Sequence, residues 1–293
     1  MYELVQAGEN TNYIDCPAKM GLYVTGSSVC MIDGGSDGDA AKKALKHIEA
    51  RGWHLDMVIN THSHADHIGG NQLLQNRTGC RIYAYGIERA FAERPELEGT
   101  MLYGAEALEP FRHKAYRAKP SVVGALTEAV LPKGLEIIEL PGHSIDQIGI
   151  RTSDDVVFLA DALLGDNILE KYSFSVIIDA AKYLETLGKI ENMEAELFVP
   201  SHGQPTADIK SLAELNIRTT EEIIEMTYQI CREPRTFEEI VKLLFDRYGT
   251  PDTVPQYYLN STTVKAILTM RQIDEMSNAE YGKITGGMDV PGL

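Results

Sequence analysis

Cysteine is scarce in this 293-residue chain: Cys16, Cys30, Cys80 and Cys231 stand far apart, and no CxxC pair occurs. That scatter excludes a disulfide framework or a cysteine-ligated zinc module and fits reduced thiols in a cytoplasmic protein. Long hydrophobic runs are missing as well. No stretch of about 18 apolar residues is present, so no membrane span is expected. The opening residues MYELVQAGEN lack a basic region followed by an apolar one, and no secretory signal is read there. Positive charge is in deficit, with 27 Lys and Arg against 43 Asp and Glu and a formal net charge of −16. Such a field repels phosphate backbones and disfavours a broad nucleic-acid footprint, although it leaves room for a local basic groove. Histidine is also rare, at eight residues, which makes its placement informative.

What is present is an ordinary globular composition, 44% hydrophobic and 24% charged, long enough for one large domain and a smaller one. GLYVTG and SSVCMIDGG read as neighbouring strands joined by a turn at Gly26 to Ser28. DGDAAKKALKHIEARG has helical spacing and ends at Gly52; LDMVIN is a strand, HIGGNQLLQNRTG a helix closing at Gly79, and CRIYAY the next strand. This is a β-α-β unit of a layered α/β protein. Residues 86–131 read as an insertion over the sheet edge. Strands return in LEIIELPG, QIGIRTS, DVVFLAD and AELFVPSHG, with an amphipathic helix at SVIIDAAKYLETLGKI. After about Ala207 the pattern turns helical. TFEEIVKLLFDRYG carries Thr236 and Glu239 at capping-box spacing, and NSTTVKAILTMRQIDEMSN reads as a further helix capped by Asn260 or Ser261. The expected division is 1–215 and 216–293, with the long helix near residue 215 straddling it.

NTHSHADHIGGN, residues 60–71, places His62, His64, Asp66 and His67 within six positions at the end of a strand. Imidazole and carboxylate together suit zinc, iron or manganese. Four residues are too few for two closed sites, so further donors are needed. His143 in ELPGHSID, Asp161 in VVFLADALLGD and His202 in LFVPSHGQP each follow a strand. Loops from one edge of a layered sheet converge. A carboxylate ending a strand as apolar as VVFLA calls for a cationic partner.

THSHADH, PGHS, FLAD and SHG, in this order and at these intervals, resemble the metallo-β-lactamase superfamily over roughly residues 20–205, and VCMIDGGS resembles its early strand and Asp-Gly turn. The resemblance implies a four-layer αββα sandwich of two mixed sheets with helices outside. It implies one metal held by His62, His64 and His143, a second by Asp66, His67 and His202, and Asp161 bridging them. Asp161 stands where classical β-lactamases of this fold commonly have cysteine, which points to the glyoxalase-II and ribonuclease branches. The flavin-binding diiron branch has Glu where His64 stands and is disfavoured. The C-terminal helices resemble, more distantly, a small winged-helix-like domain attached to some of these hydrolases.

These features lead to an expected cofactor of two divalent metal ions, zinc first and iron or manganese also suited. They also lead to hydrolysis of a small-molecule ester, thioester or lactone by activated water, with Asp66 as the catalytic residue that orients the water or handles its proton. Competing readings are an endoribonuclease or phosphodiesterase, a mononuclear iron persulfide dioxygenase, and a metal-dependent binding module. Elsewhere, His47 and His54 read as surface groups and His113 as solvated. The basic run RHKAYRAK reads either as a solvated face or as a lure for an anionic substrate. Tyr172 is a candidate substrate contact, Tyr257 and Tyr258 are expected to pack between domains, and the apolar faces of helix 261–278 would suit a homodimer.

Overall fold

The computed structural model describes residues 2–171, 175–250 and 253–273. In chain order the elements are β1 (Glu3–Gln6), β2 (Thr11–Asp15), β3 (Met20–Thr25), β4 (Ser28–Ile32), α1 (Gly38–Ala50), β5 (His54–Asn60), α2 (Ala65–Ile68), α3 (Asn71–Thr78) and β6 (Arg81–Ala84). They continue with α4 (Glu88–Glu93), α5 (Glu96–Tyr103), β7 (Val123–Ala125), β8 (Leu135–Glu139), β9 (Ile148–Thr152), β10 (Val156–Ala160) and α6 (Asp166–Lys171). The last are α7 (Ala180–Glu191), β11 (Leu197–Pro200), α8 (Lys210–Ile230), α9 (Phe237–Tyr248) and α10 (Val254–Ile273).

Among the described residues the strands form two sheets, ordered β1-β2-β3-β4-β5-β6-β7 and β11-β10-β9-β8. The first is antiparallel from β1 to β4 and parallel from β4 to β7. The second has one parallel pair, β10 with β11. Strand alternation places the cores. Between the sheets, Tyr23, Cys30, Ile32 and Ile59 meet Ile148, Ile150, Phe158 and Val199. On the outer face of the first sheet, Leu22, Met31 and Val58 meet Ala41, Leu45 and Ile48 of α1 and Leu74 of α3. Val157, Leu159 and Phe198 of the second sheet pack with Tyr183 and Leu187 of α7, Ile223 of α8, Leu244 of α9 and Ile267 of α10 in one continuous cluster. The result is the αββα sandwich.

Several elements differ from the sequence reading. The hairpin β1–β2 precedes GLYVTG; its alternation is too short to stand out, yet Glu3 to Gln6 pair residue for residue with Asp15 to Asn12. HIGGNQLLQNRTG is not one helix. Gly69 and Gly70 separate α2 from α3, because a Cβ on Gly70 would lie 2.1 Å from the Gly34 carbonyl oxygen. The 86–131 segment does not merely cover the sheet edge. It supplies β7, which joins the sheet beside β6. The last helix begins at Val254 rather than at Asn260 or Ser261; both of those residues are buried within α10, and the Tyr257 N–H bonds the Thr253 carbonyl at 2.8 Å. The capping box at Thr236 and Glu239 forms as its spacing predicts. Residues 274–278 of the expected last helix lie outside the described residues, and so does Tyr172.

Candidate metal centre

The seven donors converge at one end of the sandwich, each delivered by a strand that has just ended. Thr61, His62 and Ser63 follow β5, and His64 is the extended N-cap of the single turn α2, at φ −63° and ψ 147°. That turn places Asp66 and His67 side by side, and they diverge from the His62–His64 pair. His143 follows β8 through Pro141 and Gly142. Asp161 follows β10, whose last residue Ala160 has φ +51° beside a register shift against β11. A non-glycine residue in that region costs about 1–2 kcal/mol and turns the chain sharply where the carboxylate must swing inward. Gly142, at φ +125°, lies against α7 so closely that a Cβ would sit 2.4 Å from the Tyr183 Cα. Its carbonyl accepts from the Ile178 and Asp179 N–H groups.

The donors fall into two groups, His62/His64/His143 and Asp66/His67/Asp161/His202, within each of which the ligating atoms all lie within 4.8 Å of one another. His143 Nε2 is 2.9 Å from His64 Nδ1. Asp161 reaches both groups. Its oxygens are 3.3 Å from His67 Nε2, 3.3 Å from His202 Nε2 and 3.6 Å from His143 Nε2. His202 Nε2 is also 3.0 Å from Asp66 Oδ2. Buried His62 Nε2, His67 Nε2 and Asp161 Oδ1 find no hydrogen-bond partner. Such atoms are costly to leave bare when buried, and a cation in each group would satisfy them, His62 Nε2 in one and His67 Nε2 and Asp161 Oδ1 in the other. The donor set therefore fits divalent metal.

Outer contacts aim these donors. The His67 Nδ1–H donates to Asp33 Oδ2 at 2.8 Å, so that Nε2 is the nitrogen turned to Asp161. The Thr61 hydroxyl also donates to Asp33, at 2.8 Å, and so turns its own lone pair to His62 Nδ1 at 3.2 Å. One buried carboxylate thus sets the tautomer of a histidine in each group. Asp33 lies in the left-handed region, at φ +64°, which Asp tolerates better than most residues. His143 Nδ1 donates to the Val176 carbonyl at 2.8 Å. Glu88, buried at the start of α4, accepts from the Ser63 N–H and hydroxyl and from the Asp146 N–H. It clips the His62–His64 loop to the His143 loop. Glu98 of α5 lies 3.7 Å from His64 Nε2, on the side away from His143. Asp33 is visible in the sequence only as part of IDGG. Glu88 and Glu98 carry no sequence signal, since carboxylates on short helices are ordinarily solvated.

Electrostatics separate the two groups. Burial pushes His62, His64 and His143 below the ordinary histidine value, His143 to about 4, and the neighbouring imidazoles add to the shift at His62 and His143. In the second group Asp161 lifts His202 to about 10, against the opposing effect of burial. Burial would also lower His67, but Asp161, Asp66 and Asp33 outweigh it and hold it well above its usual value. Asp66 and Asp161 stay below the usual carboxylate range against the opposing effect of desolvation, because His67 and His202 face them.

The remaining candidates lie elsewhere. His54 and His113 are exposed, and His47 bonds the Tyr2 carbonyl. Of the basic run, Arg112, Lys114 and Arg117 pair with Glu106, Asp37 and Glu96 at the surface. Tyr257 packs against Phe245 of α9, and Tyr258 against Tyr103 of α5.

A family model described as the metallo-beta-lactamase superfamily matches residues 13–202. The hydroxyacylglutathione hydrolase of Methylococcus capsulatus is 29% identical over 128 residues, which is 43% of this chain and 41% of that protein. The lactamase-like protein vrtG of Penicillium aethiopicum is 25% identical over 239 residues, 80% of this chain and 64% of that protein. The chain spans only 38–51% of the length of the first curated relatives it matches. Among solved structures, a beta-lactamase domain protein from Burkholderia ambifaria superposes with a TM-score of 0.69 at 20% identity, covering 93% of this chain and 88% of that one. A metallo-beta-lactamase family protein from Thermus thermophilus gives 0.62 at 17% identity, covering 92% and 93%. Those two likenesses concern the fold. Since the family model covers more than half of the residues and ends on His202, the last donor of the centre, this chain belongs to the metallo-beta-lactamase superfamily.

Proposed function

We propose that this chain is a metal-dependent hydrolase of a small-molecule ester, thioester or lactone. In this reading His62, His64 and His143 hold one divalent ion, Asp66, His67 and His202 hold a second, and Asp161 is shared between them. The observation that carries it is the position of the Asp161 carboxylate, within 3.6 Å of His143 and 3.3 Å of both His67 and His202. When bound, such ions supply Lewis acidity and acidify water toward a pKa of about 7. The chain's own residues do the rest. Asp66, whose side chain is 40% exposed, is the donor most open to solvent, and its carboxylate orients the attacking water and takes its proton. His202 holds Asp66 by the 3.0 Å contact, and Asp33 keeps His67 in the tautomer that faces inward.

The relatives named hydroxyacylglutathione hydrolase support thioester chemistry for this site. We take zinc as the first candidate metal and the cytoplasm as the compartment, in line with four buried free thiols. No helix among the described residues is long and apolar enough to cross a membrane. We treat residues 216–293 as a smaller winged-helix-like unit, a reading supported by the mutual packing of α8, α9 and α10, while residues 251–252 and 274–293 lie outside the described residues.

The test is elemental analysis of purified protein together with a panel of thioesters, esters, lactones, phosphodiesters, RNA and persulfides. About two divalent equivalents and turnover of an ester-type bond are expected. Cleavage confined to RNA, with affinity falling steeply in salt, would replace the reading with a nuclease. A single iron with oxygen uptake on persulfide would replace it with an oxygenase.

A further inference from the structure

Beside His64 and His143 lies a narrow cleft, about 430 Å³ when the open solvent at its mouth is counted in. Three parts of the chain wall it. Phe91, Met101 and Leu102 come from α4 and α5, Ile145 and Val176 from the segments around His143, and Leu259 from α10. Met101 and Ile145 are 40% and 36% exposed, so apolar surface continues out to the rim. No lysine or arginine lines the cleft. Its ionisable members, apart from His64 and His143, are Glu88 and Glu98. Of the four surface cations of the 112–119 run, Arg112, Lys114 and Arg117 are already paired with carboxylates. Inside, the buried Ser144 hydroxyl next to His143 has no hydrogen-bond partner.

We infer that this cleft seats an uncharged apolar substituent of the substrate next to the bond that is cut, with α10 as a specificity wall. The inference rests on the hydrolase reading for the bond but not for the cleft. A substituent bearing carboxylates or phosphate would give up its water among apolar walls that carry no lysine or arginine to receive it. A neutral alkyl or aryl group meets apolar walls from all three sides. The chain that carries α10 therefore helps to choose the substrate.

The experiment uses metal-loaded full-length protein and two series of thioesters. One lengthens the acyl chain from acetyl to decanoyl on a fixed small thiol. The other lengthens the thiol on a fixed acetyl group. Succinyl and glutaryl thioesters supply the anionic comparison. The series whose chain enters the cleft should gain about fourfold in kcat/KM per methylene until the cleft is full, and neutral chains should exceed anionic ones of equal length at least tenfold. Leu259→Trp, and independently Met101→Trp from the opposite wall, should lower the long-to-short ratio tenfold or more. In parallel, 2-nonanone binding to chelator-treated protein is followed by ligand-observed NMR, and both variants should weaken it.

Turnover without chain-length preference, or with anionic chains preferred, overturns the inference and leaves the hydrolase reading standing. Saturable ketone binding that both variants weaken, with no turnover of any ester-type bond, upholds the cleft and overturns the hydrolase reading. Absence of both ketone binding and turnover overturns both.

Discussion

The three-histidine group and the mixed group sit side by side, yet they treat a proton oppositely. His62, His64 and His143 are buried among one another and resist protonation. His67 and His202 face Asp66 and Asp161 and favour it. The first group is a set of neutral lone pairs in a dry wall, ready to bind a cation without first shedding protons. The second is a charged cluster, in which a cation must displace protons from its histidines but meets two carboxylates in return. Affinity in the first group should therefore depend weakly on pH near neutrality, and affinity in the second should climb with pH. Asp161 ties the two together.

The comparison breaks most completely at Asp161. Asp161→Ala should remove the one carboxylate among the described residues that contacts histidines of both groups. Metal content should fall from about two equivalents to one or fewer, and ester hydrolysis by on the order of 10³-fold. Elemental analysis and kinetics on one preparation check both, and two retained equivalents would rule out the shared-ligand role. Asp33→Asn comes next. It keeps the shape but presents an amide to His67 and Thr61, and metal affinity should drop by about 10–100-fold, more in the mixed group than in the histidine group. Competition with a chromogenic chelator resolves the two steps.

The third prediction concerns the pH dependence of stability after chelation. The preference of His143 for the neutral form is fully expressed above the unfolded histidine value of about 6.5 and is lost as pH falls through about 4. Asp66 and Asp161, held low, also lose their contribution on the acid side. The contribution of His202 is complete below about 6.5 and is lost as pH rises through about 10. Chelated protein should thus show a melting temperature that falls on both sides of a maximum near pH 6.5. Metal-loaded protein should keep its alkaline limb flat over the same range. Thermal melts from pH 4 to 10 with and without chelator are the measurement. The smallest effect belongs to Thr61→Val, which leaves the His62 Nδ1–H without its acceptor while Asp33 still serves His67. Affinity of the histidine group alone should fall, by about tenfold.

The donors of this centre were legible in the chain because each is a polar residue placed where an apolar strand stops. His143, Asp161 and His202 gain meaning only once NTHSHADH sets the expectation of a metal. The layered α/β order was legible for the same reason, as a series of short apolar runs ending in polar loops, whereas the two-sheet sandwich was implied by the resemblance that THSHADH, PGHS, FLAD and SHG carry. What escaped reading was chemistry that depends on distant partners. Glu88 and Glu98 look like solvated helix residues until the fold turns them onto Ser63 and His64. Strand β7 escaped because VGA is only three residues long and is defined by its pairing with β6 rather than by its own pattern. The start of α10 was misplaced because Asn260 and Ser261 look like caps. Val254 and Pro255 begin the helix instead, and proline is well tolerated in a first turn, where its missing N–H has no intrahelical partner to lose.

Gly142 carries a consequence for how such a protein can change over generations. A side chain there would collide with the Tyr183 backbone at 2.4–2.5 Å, so the loop bearing His143 is wedged against α7 and has no neutral path by which to drift. Under the proposed function, heritable variation in substrate choice is thereby pushed to the far side of the mouth, to apolar wall positions such as Met101 of α5 and Leu259 of α10.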